Sequence, residues 1–342
     1  MPTIKDVARE AGVSIATVSY VINGKTASIS EDTCREVLDA ARRIGYSPNV
    51  TARNLKFSRS RLIGYAWHKA PQNQVNSVLD QFIYYLAHTA EAAGYHLLTF
   101  TYPAYDPVPV YEDLIRTGRV DAFVVADTVI KDERIHFLLE QNFPFVSFGR
   151  AYADTDFNWD FPYVDTDGRR GIEEAVEYLI SLGHQRIACV GWPEDSGTGN
   201  ERLAGYLQAL RKAGIPSRPD YIQRAEHTVE AGRTAFAHWC DLPSDEQPTA
   251  VVAVSDLMAI GVMNEAEARG FIVGETLSVI GFDDTPLVQY LRPALTSIQQ
   301  PIAEIGRELI GMLELILDKQ APQPSRLVAP KMVIRESTGA PR

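Results

Sequence analysis

Thr3-Ile4-Lys5-Asp6-Val7-Ala8-Arg9-Glu10-Ala11-Gly12-Val13-Ser14-Ile15-Ala16-Thr17-Val18-Ser19-Tyr20-Val21-Ile22 is the stretch that decides how this chain begins to fold. Thr3 stands as a helix N-cap with an acid, Asp6, three residues on, and Ile4, Val7, Ala8 and Ala11 follow at helical spacing. Gly12 ends that helix in the left-handed conformation that a side chain disfavours, and small Ala8 lets a second helix cross closely. The second helix starts at N-cap Ser14 and puts Val18, Val21 and Ile22 on one face, leaving Ile15, Ala16, Ser19 and Tyr20 outward. Two short helices joined by a glycine turn make a helix-turn-helix. A third helix runs from N-cap Ser30 through Glu31 and Asp32 to Arg42 and Arg43, and stops at Gly45.

Any three-helix mini-bundle could share this turn pattern. What sets the stretch apart is its outward face. Apolar Ile15 and Ala16 with Tyr20, beside Thr17, Ser19 and Asn23, are odd on a solvated surface but suit one that meets thymine methyls, base edges and phosphates. Charge points the same way: residues 1–60 carry nine Lys and Arg against six Asp and Glu, a net +3, while the whole chain stands at −11. A basic module on an acidic body implies that only the N-terminus meets a polyanion.

The 342 residues are 45% apolar and 23% charged, the composition of a globular chain of two or three domains. Cys34, Cys189 and Cys240 are odd in number and lack CxxC spacing, so neither a disulfide framework nor a zinc site is expected and a reducing cytoplasm fits. The N-terminus lacks a basic-then-apolar leader, and no run approaches the ~20 apolar residues of a membrane span. A cytoplasmic location without membrane contact is expected.

From Arg61 onward short apolar runs alternate with helical periods, the mark of parallel βαβ units. Strands are expected at Leu62–Trp67, His96–Thr101, Ala122–Ala126 and Phe145–Phe148, and after an irregular stretch the alternation resumes at Tyr163. Helix 168–182, strand Ile187–Gly191, helix Glu201–Lys212, helix Val229–Trp239, strand Ala250–Val254, helix Asp256–Arg269 and strand Leu277–Gly281 follow. Two successive α/β halves imply two open sheets whose carboxyl strand ends share a crevice for a small ligand. Other signals fail. Gly197-x-Gly199 lacks the third glycine of a dinucleotide loop. Asp154-x-Asp156-x-Asn158 has Trp159 where a calcium loop needs Gly. The histidines show no metal spacing, and adjacent Asp283 and Asp284 make a poor acid/base pair. No cofactor, metal or catalytic residue is expected.

Thr3–Ala8, Ala11–Ser14, Thr17-Val18-Ser19, Val21-Ile22-Asn23, Gly45–Asn49 and Ala52-Arg53-Asn54-Leu55 together resemble the lactose-repressor (LacI/GalR) family of bacterial transcription regulators. In the body, Gly183–Ala188, Arg202-x-x-Gly205, Ser255-Asp256-x-Met258-Ala259-x-Gly261, Gly281–Asp284 and Leu295-Thr296 with Gln300-Pro301 extend the resemblance over essentially the whole chain. It implies an all-α helix-turn-helix head plus an α/β periplasmic-binding-protein-like body of two doubly wound parallel-sheet subdomains. The head would be residues 1–46, a hinge helix and linker 47–60, and the effector-binding and dimerisation domain 61–342. Three crossings near 161, 290 and 323 would divide that body into 61–160 with 291–322 and 161–290 with 323–342.

The resemblance further implies that Ile15, Ala16 and Tyr20 choose the operator bases, with Tyr20 departing from the arginine or lysine that often reads guanine there. Thr17, Ser19 and Asn23 would hold phosphates. Ala52, Arg53 and Leu55 would enter the minor groove from the hinge. Operator DNA, a small-molecule effector and a second copy of the chain would be the partners, and the protein would be a repressor controlled allosterically. A polar neutral effector such as a sugar needs bidentate partners in a dry cleft, which suits Arg202 as a fork and Asp283 as a two-oxygen acceptor, with Ser255 a lesser partner. Trp67, His68, Arg150 and Trp192 lie near strand ends and are candidates to stack on or bond a ring. The rival reading is an α/β enzyme or sugar-binding protein with an unrelated helical appendage.

Overall fold

A computed structural model describes residues 2–22, 26, 29–46, 59–67, 76–103, 105–151 and 160–342. Asn23, the hinge residues Ala52, Arg53 and Leu55, and His68 lie outside them. The chain divides into two compact units, residues 1–60 and 61–342.

The first unit packs α1 (Ile4–Glu10), α2 (Ile15–Ile22) and α3 (Glu31–Arg43) around fully buried Val7, Val18, Val37 and Ala40. All three helices are too short to persist alone, so this shared core holds them. The Thr3 backbone N–H donates to the Asp6 carboxylate at 2.8 Å, closing the first turn of α1. Hydrogen bonds from the Thr3 side chain and backbone hold that carboxyl below its ordinary value. Gly12, between α1 and α2, sits at φ +64, and the Ser30 hydroxyl caps α3 by accepting from Thr33 N–H at 3.3 Å.

The second unit runs β1 (Leu62–Ala66), α4 (Ser77–Ala92), β2 (His96–Phe100), α5 (Val108–Arg116), β3 (Ala122–Val125), α6 (Glu133–Glu140), β4 (Phe145–Phe148) and β5 (Tyr163–Thr166). It continues through α7 (Gly168–Ser181), β6 (Ile187–Gly191), α8 (Gly197–Lys212), β7 (Ile222–Arg224), α9 (Val229–Cys240), β8 (Ala250–Ala253), α10 (Asp256–Ala268) and β9 (Ser278–Asp283). β10 (Thr296–Gln299), α11 (Ile302–Leu317), β11 (Arg326–Val328) and β12 (Lys331–Val333) complete it. One sheet has the order β11-β5-β4-β3-β1-β2 and the other β12-β10-β9-β8-β6-β7. The paired strands run parallel except β12, which is antiparallel to β10. β3, β4, β6, β8 and β9 are buried along their whole length, as expected of parallel strands covered on both faces.

The sheets move the three crossings from where the sequence placed them. Tyr163–Thr166 belongs to the first sheet, Thr296–Gln299 to the second and Arg326–Val328 to the first again. The chain therefore crosses after Thr166, at Gln300–Pro301 and at 329–330, rather than near 161, 290 and 323. Strands of three or four residues carry too little periodicity to reveal which sheet they join. Pairing across the sheet decides it.

Candidate functional site

On α2, Ile15 is 46% and Tyr20 52% exposed, and Ala16 is exposed between them. Val18 and Val21 on the opposite side are buried, so helical periodicity forces this unusual surface outward. Thr17 and Ser19 are half-buried beside it. The Ser14 hydroxyl accepts from Thr17 N–H at 3.1 Å and lies 2.9 Å from the Thr17 hydroxyl, which fixes the first turn. Arg9, Arg42 and Arg43 pair with Asp6, Asp39 and Glu10 at 3.3–3.7 Å. Such exposed pairs are weak and exchange readily.

In the second unit a cleft of about 500 Å³ opens at the carboxyl ends of both sheets. That lies within the range of small-molecule sites. The first sheet contributes Phe148, Gly149 and Asp165, with Asp127 and Thr128 beyond β3. The second contributes Trp192, His227 and Asp283 from strand ends and Arg202 from α8, and Gln300 enters from a crossing.

Arg202 anchors the floor. Gly205, one turn later, comes so close to α7 that an added Cβ would lie 2.2 Å from the Arg169 carbonyl oxygen, and this approach lays α8 on α7. The buried guanidinium lies 3.7 Å from the Phe282 ring centroid and 4.7 Å from that of Trp192. Its Nη1 donates to the Val254 carbonyl and stands 4.0 Å from Asp283 Oδ1. The same oxygen accepts from Gln300 Nε2 at 2.8 Å, and Gln300 Oε1 accepts from the Thr166 hydroxyl at 2.7 Å. Thr166 ends β5 and Gln300 follows β10, so this hydrogen-bonded path ties the cleft floor to two of the three crossings.

Asp283 sits at φ +119 and Asp284 at φ +52, conformations that side chains rarely adopt. Surrounding bonds hold them there. The Ser297 hydroxyl accepts from Asp284 N–H at 3.1 Å and donates to Asp256, whose other oxygen accepts from Thr285 N–H at 2.7 Å. Asp284 also meets Arg335 at 2.7 Å. Backbone strain over-determined in this way clusters where a fold presents function.

Burial pushes the Asp283 carboxyl up, against the pull of Arg202 and the Gln300 hydrogen bond. Burial and then the Asp283 charge push Asp256 up. Asp165 is raised by burial and partly restored by Arg150, 3.1 Å away. His227 is pushed down to about 4 by burial and then by the Arg202 charge, so its imidazole is neutral at physiological pH. His227 Nε2 and Trp192 Nε1 are buried without a hydrogen-bond partner, and their rings stand 5.5 Å apart on the cleft wall. Two unmet ring nitrogens on a wall of this kind match a ligand rich in hydroxyls.

Of the residues expected here, Arg202, Asp283 and Trp192 line the cleft. Ser255 does not: it is fully buried, and its hydroxyl caps α10 by accepting from Met258 N–H. Arg150 acts through Asp165 rather than lining the cleft itself. Trp67, 37% exposed at the end of β1, is likewise absent from the lining. Sequence reasoning missed Gln300, His227, Asp165 and Asp127. Gln300 stood inside a recognised block, whereas His227 follows a three-residue strand with no pattern of its own. Among the described residues no group of three or more His, Cys, Asp or Glu could hold a metal ion, and no helix is long and apolar enough to cross a membrane.

A helix-turn-helix unit and a two-lobed cleft unit in one chain are the parts of a ligand-responsive bacterial DNA-binding regulator. Residues 3–49 match the bacterial regulatory proteins of the lacI family, and residues 176–338 match periplasmic binding protein-like domains. The HTH-type transcriptional repressor CytR of Escherichia coli (strain K12) is 35% identical over 350 residues, covering 99% of this chain and 96% of CytR. The transcriptional regulator CelR in its cellobiose complex superposes with a TM-score of 0.73 at 28% identity, over 98% of this chain and all of that one. The Lac repressor dimer bound to operator and the anti-inducer ONPF gives 0.82 at 25% identity, over 99% of both chains. The chain belongs to the lacI family of bacterial regulatory proteins. It is a regulator and not an enzyme.

Proposed function

We propose that the protein is a cytoplasmic transcriptional repressor that binds a near-palindromic operator as a homodimer and is controlled by a sugar held between its two lobes. The relay Arg202–Asp283–Gln300–Thr166 carries this reading, because it joins the groups best suited to hold a polyhydroxyl ligand to segments that cross between the two sheets. A ligand that bridges the lobes favours one lobe arrangement, and acts only through its different affinity for the two. Ligand and operator affinities are then coupled reciprocally, typically by about 1–3 kcal/mol. Ile15, Ala16 and Tyr20 read base edges. Thr17, Ser19 and Asn23 hold phosphates, and Leu55 with Ala52 and Arg53 enters the minor groove between half-sites about 10 bp apart. The exposed apolar face of α2 supports the first of these roles, and the family resemblance supports the others.

The test is fluorescence anisotropy on genomic DNA fragments across a salt series, repeated with a sugar panel. Affinity should fall steeply with salt as phosphate contacts are screened, and one sugar should release the DNA. Replacing Gln300 by Ala should leave DNA binding in place and weaken release at least tenfold. Binding without salt dependence, or release untouched in that variant, would sink the reading.

A further inference from the structure

The charges around the cleft are unevenly placed, and the imbalance bears on which ligand enters. Arg202 is the one basic side chain among its described lining residues. Of that guanidinium, Nη1 goes to the Val254 carbonyl, the faces lie against Phe282 and Trp192, and the charge stands 4.0 Å from Asp283. Asp165 is answered by Arg150 behind the wall. Three further carboxylates, Asp127, Asp195 and Glu226, stand exposed in the lining, and no described lining base is left to balance them.

Two further features of the lining bear on an anion. His227 faces the cleft uncharged at physiological pH. The N-terminus of α8 also lines the cleft, but its Gly199 N–H is taken by the Ser196 hydroxyl at 3.0 Å, and Asp195 places a negative charge where the helix dipole would draw a ligand's.

We infer that the cleft selects an uncharged sugar and turns away its phosphorylated or carboxylated relatives, with the carboxylates of Asp127, Asp195 and Glu226 as the filter. This rests on the effector-cleft reading and adds the charge class of the ligand. A phosphate or carboxylate entering the cleft meets like charges at exposed positions, where the repulsion is long-ranged at low salt and screened at high salt. Hydroxyls meet acceptors at the carboxylates, beside the Trp192 and His227 rings, whose nitrogens are buried without a hydrogen-bond partner.

The experiment is calorimetric titration of the full-length dimer with hexoses and disaccharides, each beside its 6-phosphate and its uronic acid. A neutral member should bind, with its anionic counterparts at least tenfold weaker. Raising salt from 20 to ~300 mM should narrow that gap as the Debye length shrinks. The variant carrying Asp195→Asn and Glu226→Gln, both at exposed positions, should narrow the same ratio at low salt. An anionic sugar that binds as tightly as its neutral partner, or a ratio unmoved by that variant, overturns the filter. If that tight binding still disappears in Arg202→Ala, the effector-cleft reading survives the loss of the filter. A ligand that binds regardless of Arg202→Ala, or a panel in which nothing binds, overturns both.

Discussion

On α2 the chain leaves Ile15 and Tyr20 half exposed, where a short helix ordinarily hides its apolar side chains. In the cleft it does the reverse, burying Arg202, Asp283 and Gln300 where a core ordinarily excludes charge and amide. Both regions break the inside–outside rule, in opposite senses, and each breach has a different physical basis. The α2 surface needs no local compensation, because an exposed methyl or ring costs little in water. The cleft floor survives only because each polar group has a partner: Val254 and the two rings for Arg202, Gln300 for Asp283, Thr166 for Gln300. A substitution on α2 should therefore alter recognition and leave stability alone, whereas one in the cleft should alter both.

The sharpest way to break that contrast is Arg202→Ala. It strips a buried carboxylate of its counter-charge, and removing one partner of a buried pair costs about 3 kcal/mol or more. Urea denaturation should show that loss, and operator release by the effector should vanish with it. A loss below about 1 kcal/mol would mean the floor is no more interdependent than the α2 face.

Tyr20→Ala comes next and should do the opposite. The unfolding midpoint should stay within about 0.5 kcal/mol of the parent, as for surface positions generally. Selection of binding sites from randomised DNA should show relaxed preference at one position, equivalent to about 1–3 kcal/mol. Uniform weakening on every operator would remove Tyr20 from the reading set.

The most gradual effect, spread over more than two pH units, belongs to His227. Its folded value is about 4, below the ordinary 6.5, so between those values the unfolded chain binds the proton that the folded chain refuses. Stability is lost as pH falls through that window, by at most about 1.4 kcal/mol per pH unit. His227→Gln removes the titration, so the parent should lose ground to this variant between pH 6.5 and 4.5 in paired thermal melts. Parallel pH profiles would show that His227 is solvated rather than part of the cleft wall.

Much of the head was legible because its signals are local. Thr3 with Asp6, Gly12, Ser14 with Thr17 and Ser30 with Thr33 each act within three or four residues, and the structure shows those caps and turns in place. In the body the long buried strands and most helices were legible from periodicity. The three-residue strands β7, β11 and β12 were not, and neither were the sheet assignments that set the crossings. Ser255 misled for a local reason: a serine ahead of a helix is first a cap, and that role consumes its hydroxyl.

By itself the sequence determined which segments become helices and strands, the apolar face turned outward on α2, and the pairing of a helical head with a βαβ body. Only the tertiary structure decided that Gln300 joins Asp283 to Thr166, that His227 and Trp192 share a wall, and that the acids of the cleft outnumber its bases among the described residues. Caps and periodicity arise from forces acting over a turn or two of chain. The bond from Thr166 to Gln300 spans 134 positions, and its partners meet only once two sheets have formed and the chain has crossed between them.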